Sequence, residues 1–200
     1  FIKSYINESI PSIEVKLLMQ ALQESAFTDG LTGLYNRKFL EEHSKKLIPQ
    51  AKRDNFNIGV LLLDMDHFKA VNDEYGHDIG DKVLKELSRI LNETLRESDV
   101  IIRYGGEEFI VLLVNIKTEE DALNVANKIR EKVKENEIDV YAGSKLRKTI
   151  SIGLSMFPDD SNNFDSVIKN ADIALYEAKS KGRDQVVRFT SESSSLVDIF

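Results

Sequence analysis

Apolar and polar positions follow two periods along this chain, one typical of strands and the other typical of helices. Short, nearly continuous apolar runs predict strands at residues 58–63, 100–104, 109–114, 138–141, 146–156 and 185–189. Longer segments with apolar residues every three or four positions predict helices at residues 37–52, 79–95, 118–135 and 163–181. Asn36 and Thr118 are suitable N-caps because their side-chain oxygens can accept hydrogen bonds from first-turn N–H groups, and Gly182 ends the last helix.

The order of these elements predicts the fold class. From residue 58 the chain is expected to run strand, helix, strand, strand, helix, strand, which is the succession of the ferredoxin-like fold. Residues 100–114 are expected to form a hairpin around two glycines, and residues 138–156 a second hairpin around 142–144. We therefore expect an α/β (α+β) domain of three layers on a βαββαβ core, with an additional helix and strands.

One domain with a short segment on either side is expected. A glycine-punctuated loop at residues 29–37 marks the start of the domain, which is predicted to cover residues 28–190. Residues 1–27 have apolar residues at helical spacing. They are interpreted as a connector helix from an upstream region, with a terminal helix packed on the domain as the alternative. Residues 191–200 are serine-rich and are predicted to form a flexible tail.

Composition narrows the possible functions. The chain has 27 Lys and Arg against 34 Asp and Glu, a net charge of -7, and no cysteine. The absence of cysteine excludes disulfides, Cys-ligated zinc and iron–sulfur sites. The acidic balance without a basic run argues against nucleic acid as a partner. No apolar segment approaches the ~20 residues of a membrane helix. We expect a cytoplasmic fragment without membrane contact; it begins with Phe1 rather than Met, and membrane tethering of the parent protein stays open.

Acidic residues are expected to meet at one edge of the predicted sheet. Asp64 follows the first core strand, and Glu107 and Glu108 lie in the hairpin. In a βαββαβ sheet these segments are central neighbours, so the three carboxylates should converge. Such a cluster suits Mg²⁺ or Mn²⁺, which are commonly held by carboxylates together with substrate phosphates. Taken singly, each acid is better explained as a turn or cap residue or as part of a solvated hairpin tip, whereas their convergence favours phosphoryl or nucleotidyl transfer.

Two consecutive glycines, Gly105 and Gly106, lie in the same hairpin. They permit a backbone to approach a bulky ligand closely, and they also suit a tight turn. The residues alone leave both interpretations open.

Several segments, taken together, resemble a known family. Residues 103–109 read Arg-Tyr-Gly-Gly-Glu-Glu-Phe, which resembles the signature hairpin of GGDEF-domain diguanylate cyclases in its GGEEF form. Residues 29–37 resemble the opening DxLTGLxNR loop of that family, and residues 64–73 resemble its DxDxFKxxND segment. The resemblance extends in order over residues 28–189. It implies a palm-like, nucleotidyl-cyclase type of three-layer domain.

The resemblance implies an activity. Two GTP molecules would condense to cyclic di-GMP with release of two pyrophosphates, each 3′-hydroxyl attacking the α-phosphate of the other nucleotide. One domain would supply half of a site, which implies a homodimer. The implied cofactor is Mg²⁺ or Mn²⁺, two ions per half-site, with Asp64, Glu107 and the main-chain carbonyl of Met65 as ligands.

The resemblance also implies roles for individual side chains. Glu107 matches the proton acceptor, with Glu108 as the alternative, and Lys69 matches a cation placed against phosphate charge in the transition state. Asn72 and Asp81 match the guanine readers, and a carboxylate can accept from guanine donors that adenine lacks. The other matched nucleotide-binding positions are His77, Gly105, Gly106, Lys179 and Arg183, the last two as γ-phosphate contacts.

Arg96 and Asp99 form an RxxD string ahead of the hairpin. At this spacing many members of the family bind their own product as an inhibitor. The string is common, and a helix end with a surface ion pair is the alternative. Its position in the family pattern favours an inhibitory site for cyclic di-GMP.

Two other function classes compete with this one. A catalytically silent module could bind GTP or cyclic di-GMP and signal through a partner. Loss of Asp64, Lys69 or Glu107 would favour that class, and all three are present. A structural dimerisation module does not explain why metal, base-reading and phosphate positions coincide. The expected function is therefore that of a bacterial second-messenger enzyme.

Overall fold

The computed structural model describes residues 26–191, together with residues 13, 15, 16, 18 and 19 of the preceding segment. Those five residues are helical, and the apolar ones among them are exposed. Apart from residues 26 and 27, the rest of the predicted connector lies outside the described residues, as does nearly all of the predicted tail. The boundaries at 28 and 190 therefore stay predictions.

Five helices and eight strands form the described domain. The helices are α1 (Arg37–Asp54), α2 (Phe68–Tyr75), α3 (His77–Thr94), α4 (Glu119–Glu135) and α5 (Phe164–Ser180). The strands are β1 (Tyr35–Asn36), β2 (Asn57–Met65), β3 (Val100–Gly105), β4 (Glu108–Ile116), β5 (Ile138–Asp139), β6 (Lys145–Leu146), β7 (Ile150–Phe157) and β8 (Val186–Arg188).

Six of these strands form one sheet in the order β1-β3-β4-β2-β7-β8. The strand β2 lies at its centre and pairs antiparallel with both β4 and β7. Its residues are almost entirely buried because both faces of the sheet are covered. Leu61 and Leu63 pack on the side of α2, α3 and α4, whereas Val60 and Leu62 pack against α1 and α5. The predicted three-layer α/β domain is confirmed.

The predicted caps form as expected. Asn36 accepts a hydrogen bond from the backbone N–H of Phe39, and Thr118 accepts one from that of Asp121. The hairpin of β3 and β4 is also confirmed, with an irregular register between Arg103 and Gly105. These local features are accurate because they depend on residues close together in the chain.

Two parts of the predicted architecture differ from the structure. The predicted strand at 146–156 was wrong as one continuous strand. Residues 147–149 are polar or charged, and they carry the chain from β6, in a separate two-stranded sheet with β5, to β7 in the main sheet. The helix predicted at 79–95 begins earlier, at His77, and the short helix α2 precedes it. Gly76, with a φ of 82°, separates the two helices.

Candidate active site

Asp64 lies at the end of the central strand, where β2 leaves the sheet. Its side chain is only 10% exposed, and Lys179 Nζ lies 2.8 Å from its Oδ2 atom. Across the sheet its register partner in β4 is Glu108. Burial raises the pKa of Asp64 and outweighs the hydrogen bond and charge of Lys179, while the charge of Asp66 raises the pKa further.

Glu107 and Glu108 bring two more carboxylates to the same edge, as the sequence predicts. Both are half-buried, and the N–H of Met65 donates to the main-chain carbonyl of Glu107 over 3.4 Å. Burial raises the pKa of both glutamates, and the negative charge of Asp64 adds to the effect. The cluster is therefore short of positive charge even with Lys179 beside it.

These carboxylates repel one another, and a hard divalent cation bound by their oxygen atoms would relieve that repulsion. Within residues 26–191, however, no group of three or more His, Asp or Glu side chains is arranged to hold a metal ion. The chemistry of the donors thus fits a divalent cation, although a complete coordination shell is not formed by side chains alone. This agrees with the preference of Mg²⁺ for few carboxylates and additional phosphate oxygens.

The turn of the hairpin is held by Arg103. Its Nε and Nη2 atoms donate to the carbonyl of Gly106 over 3.0 and 2.8 Å, and its Nη1 atom donates to Asp29 over 2.9 Å. Gly106 has a φ of 41°, and a Cβ atom there would meet nothing within 4 Å. The glycine therefore serves the turn conformation, and the space before it is open to a ligand. Sequence reasoning assigned no role to Arg103, although it begins the hairpin motif.

The predicted guanine readers lie on the two helices that follow β2. Asn72 is on α2, and Asp81 is in the first turns of α3, which also contain His77, a predicted nucleotide contact. Lys69, His77 and Asp81 are exposed, whereas Asn72 is half-buried against Gly80. The structure therefore places Asn72 against the first turns of α3 at Gly80, the residue before Asp81.

Lys179 and Arg183 reach the carboxylate edge from the end of α5. Lys179 is in the last turn and forms the ion pair with Asp64. Arg183 is exposed, has a φ of 65°, and its charge acts to lower the pKa of Asp64. Both cations thus lie close to the acidic cluster.

Arg96 and Asp99 lie apart from this edge. The Asp99 carboxylate accepts hydrogen bonds from the backbone N–H groups of Arg96 and Val114 over 3.0 and 3.2 Å, and Arg96 is exposed. Asp99 directly precedes β3, and the glycine pair begins with Gly105, the last of the six residues of this strand. The separation is about 20 Å along the strand. The structure therefore places the RxxD string at the opposite end of β3 from the carboxylates.

Comparison with known proteins identifies the family. The sequence profile described as "Diguanylate cyclase, GGDEF domain" matches residues 26–185. The chain belongs to the GGDEF family of diguanylate cyclases. This GGDEF domain is 40% identical to the response regulator PleD of Caulobacter vibrioides (strain NA1000 / CB15N) over 165 residues, which are 82% of the chain and 36% of PleD.

Two further relatives extend the comparison of the GGDEF domain. Diguanylate cyclase DosC of Escherichia coli (strain K12) is 38% identical over 158 residues, which are 79% of the chain and 34% of DosC. The coiled coil and GGDEF domain of DgcB from Caulobacter crescentus, in complex with c-di-GMP, has a TM-score of 0.84 at 27% identity and covers 94% of this chain and 98% of that chain. The chain spans less than half the length of the curated relatives it matches.

No helix in the described part of the GGDEF domain is a candidate membrane span. Among its described residues, every helix is too short or too polar to cross a bilayer.

Proposed function

We propose that this GGDEF domain condenses two GTP molecules into cyclic di-GMP and two pyrophosphates. The observation that carries the proposal is the meeting of Asp64, Glu107 and Glu108 with Lys179 at one edge of the sheet. Carboxylates beside a lysine suit a metal-bound triphosphate, because the carboxylates can hold the metal and the lysine can pair with phosphate oxygens. Membership of the GGDEF family supports the same reaction.

Asp64, Glu107 and the main-chain carbonyl of Met65 are the proposed ligands for Mg²⁺ or Mn²⁺, with two ions in each half-site. Their oxygen atoms are the donors that these ions prefer. When bound, the ions would neutralise phosphate charge and lower the pKa of the attacking hydroxyl.

Lys179 and Arg183 are proposed to contact the terminal phosphate, and Lys69 to face charge that develops in the transition state. Lys179 and Arg183 already lie close to the acidic cluster, whereas Lys69 is an exposed residue of α2, the helix that follows β2. Positively charged groups at fixed positions lower the barrier of phosphoryl transfer by stabilising this charge.

Glu107 is the proposed acceptor of the 3′-hydroxyl proton, with Glu108 as the alternative. A raised pKa makes either carboxylate a better base near neutral pH. Burial raises the pKa of Glu108 as well as that of Glu107. Coordination of Glu107 to a metal would weaken it as a base, which favours a test of Glu108 as well.

Asn72 and Asp81 are proposed to read guanine, and His77, Gly105 and Gly106 to line the nucleotide site. A Cβ atom on Gly106 would meet nothing within 4 Å, and one on Gly105 would meet only Glu108 Oε2 at 4.0 Å, which supports this placement. The guanine N1–H and amino groups are donors that adenine does not present in the same pattern, so GTP should bind more tightly than ATP.

Each half-site holds one GTP, so two copies must face each other for the reaction. We therefore propose a homodimer as the active form. Cyclic di-GMP bound at Arg96 and Asp99 is proposed to inhibit it.

The test is the conversion of GTP with Mg²⁺ by the chain fused to a parallel dimerising coiled coil. We expect cyclic di-GMP and pyrophosphate in a ratio of one to two, measured by chromatography and a coupled phosphate assay. Binding of GTP without any pyrophosphate release would instead indicate a catalytically silent module. The unfused chain at the same concentration is the control, and it should be slower.

A further inference from the structure

The turn that follows α5 has an unusual backbone. Gly182, Arg183 and Asp184 all have positive φ angles, of 115°, 65° and 46°. The left-handed region is unfavourable for residues with a Cβ atom, and two such residues in succession persist only where their surroundings hold them. Something outside the turn must therefore stabilise it.

Asp66 holds the turn from inside the domain. This carboxylate is only 2% exposed. It accepts hydrogen bonds from Thr149 Oγ1 and Ser151 Oγ, each over 2.7 Å, and from the backbone N–H of Asp184 over 3.1 Å. None of the roles proposed above uses Asp66. Its contacts join the end of β2, the start of β7 and the turn.

Asp184 is held from the other side by α4. Arg130 Nη1 lies 2.6 Å from its Oδ1 atom and Lys134 Nζ lies 2.7 Å from its Oδ2 atom. Burial acts to raise the pKa of Asp184, but the hydrogen bonds from Lys134 and Arg130 outweigh it and hold the pKa below its ordinary value. The carboxylate is therefore charged at neutral pH and makes charge-assisted hydrogen bonds, which are stronger than neutral ones.

We propose that Asp66 and Asp184 are positioning residues, which together with Arg130 and Lys134 hold the 182–184 turn so that Arg183 faces the terminal phosphate of the nucleotide. The proposal rests on the proposed function. The four residues act through the backbone of the turn and do not touch the nucleotide. A consequence is that the packing of α4 sets the affinity for the γ-phosphate.

The test measures binding of 3′-deoxy-GTP and 3′-deoxy-GDP to the full chain with Mg²⁺ by calorimetry. These nucleotides lack the attacking hydroxyl, so binding is measured without turnover. For Asp184→Ala we expect the affinity for the triphosphate to fall by about tenfold, with the affinity for the diphosphate changed less than about twofold. A purely structural defect would lower both affinities together.

Milder variants keep the test decisive if Asp184→Ala fails to fold. Lys134→Gln removes the half-exposed partner of Asp184, and Arg130→Gln removes the less exposed one. Both should weaken triphosphate binding selectively. Lys128→Gln, at an exposed position of the same helix, is the charge-matched control and should change neither affinity. Asp184→Asn should recover part of the loss, because asparagine tolerates the left-handed conformation better than alanine.

The possible outcomes separate the two proposals. Suppose that the unmodified chain binds the triphosphate while the variants at Arg130, Lys134 and Asp184 keep the same ratio of triphosphate to diphosphate affinity. In that case the positioning role is wrong and the proposed function stands. If the unmodified chain binds neither guanine nucleotide, both proposals are wrong.

Discussion

The lack of a side chain at Gly80 leaves the space that the Asn72 side chain occupies beside α3. A Cβ atom on Gly80 would lie 2.0 Å from Asn72 Oδ1 and 3.2 Å from a ring carbon of Phe68. The glycine is therefore required by the neighbouring side chain, since it lies in the helix α3 and has no positive φ.

We expect Gly80→Ala to displace the Asn72 amide and to weaken GTP binding by about tenfold, a loss comparable to that of one hydrogen bond at a buried site. The free energy of unfolding should change little. The cost of displacing the Asn72 side chain is offset by the helix propensity of alanine, which is better than that of glycine by about 1 kcal/mol. Calorimetry with GTP and ATP would measure the affinity and the preference for guanine.

A double-mutant cycle provides the control for Gly80→Ala. In an Asn72→Ala background the second substitution should have almost no effect on GTP affinity. Gly30→Ala, at an exposed loop position where a Cβ would meet nothing within 4 Å, should be neutral. An equal effect of Gly80→Ala in both backgrounds would contradict the role assigned to it.

Asp64 is the most buried member of the acidic cluster. Asp64→Asn keeps the shape of the side chain but removes the negative charge and the ion pair with Lys179. We expect the rate of pyrophosphate release to fall by about a hundredfold or more, as for other losses of a preorganised electrostatic group. Asp172→Asn, at an exposed position near Glu108, should leave most of the rate. Retention of most activity by Asp64→Asn would show that the cluster is not the metal site.

At the scale of elements, Gly153 determines how closely α5 packs on β7. A Cβ atom at residue 153 would lie 2.0 Å from the carbonyl oxygen of Ala171 and 2.4 Å from the backbone nitrogen of Leu175. Both atoms belong to the backbone of α5, so the clash can be relieved only by moving the helix.

We expect Gly153→Ala to lower the free energy of unfolding by about 3 kcal/mol or more, at the upper end of the range for overpacked cores. Urea denaturation of the variant and of the unmodified chain would measure this difference in the free energy of unfolding. Gly59→Ala in β2 is the matched control, because its Cβ would approach only side chains at 3.4 Å. A similar loss in both variants would contradict the close packing of α5.

The loop before α1 is tied to the hairpin by Asp29 and Arg103. Burial acts to raise the pKa of Asp29, but hydrogen bonds from Thr32 and Arg103 outweigh it and hold the pKa below its ordinary value of 3.8. As pH falls, the unfolded chain therefore takes up a proton at this residue before the folded chain does.

We expect the contribution of this pair to the free energy of unfolding to be fully present above about pH 4, the ordinary pKa range of an aspartate. The contribution should be lost as the pH falls through the lower pKa of Asp29 in the folded state. Denaturant titrations at several pH values would show a smaller acid dependence for Asp29→Asn than for the unmodified chain. The same acid dependence in both proteins would contradict this assignment.

At the scale of the whole molecule, the proposed inhibitory site and the proposed catalytic edge lie at opposite ends of β3. Inhibition would therefore require a change in how two domains face each other rather than direct competition for GTP. We expect Arg96→Ala to weaken binding of cyclic di-GMP by at least about tenfold, because it removes a guanidinium that can fork to phosphate and stack on guanine. Binding of 3′-deoxy-GTP should be unchanged.

Calorimetry with both ligands measures the effect of Arg96→Ala. Lys85→Ala, at an exposed position of α3, is the control for loss of surface charge. Unchanged affinity of Arg96→Ala for cyclic di-GMP would remove the product site from the proposal.

Much of this protein could be predicted from local patterns. The caps at Asn36 and Thr118 and the ends of the hairpin depend on residues a few positions apart, so the printed sequence contains the whole interaction. The convergence of Asp64 and Glu108 was also predictable, because the order of elements specifies which strands are neighbours. The break at residues 147–149 was not, since a short polar gap between apolar runs does not reveal a change of sheet.

By itself, the sequence determined the fold class, the caps and the meeting of Asp64 with Glu108 at the proposed catalytic edge. The caps act within one segment, and the order of the elements specifies which strands are neighbours. Only the tertiary structure decided that Lys179 pairs with Asp64, that Asp66 bonds to the backbone of Asp184, and that Gly80 makes room for Asn72. These contacts join distant segments over a few ångströms. They depend on the packing of helices on the sheet, which no local pattern specifies.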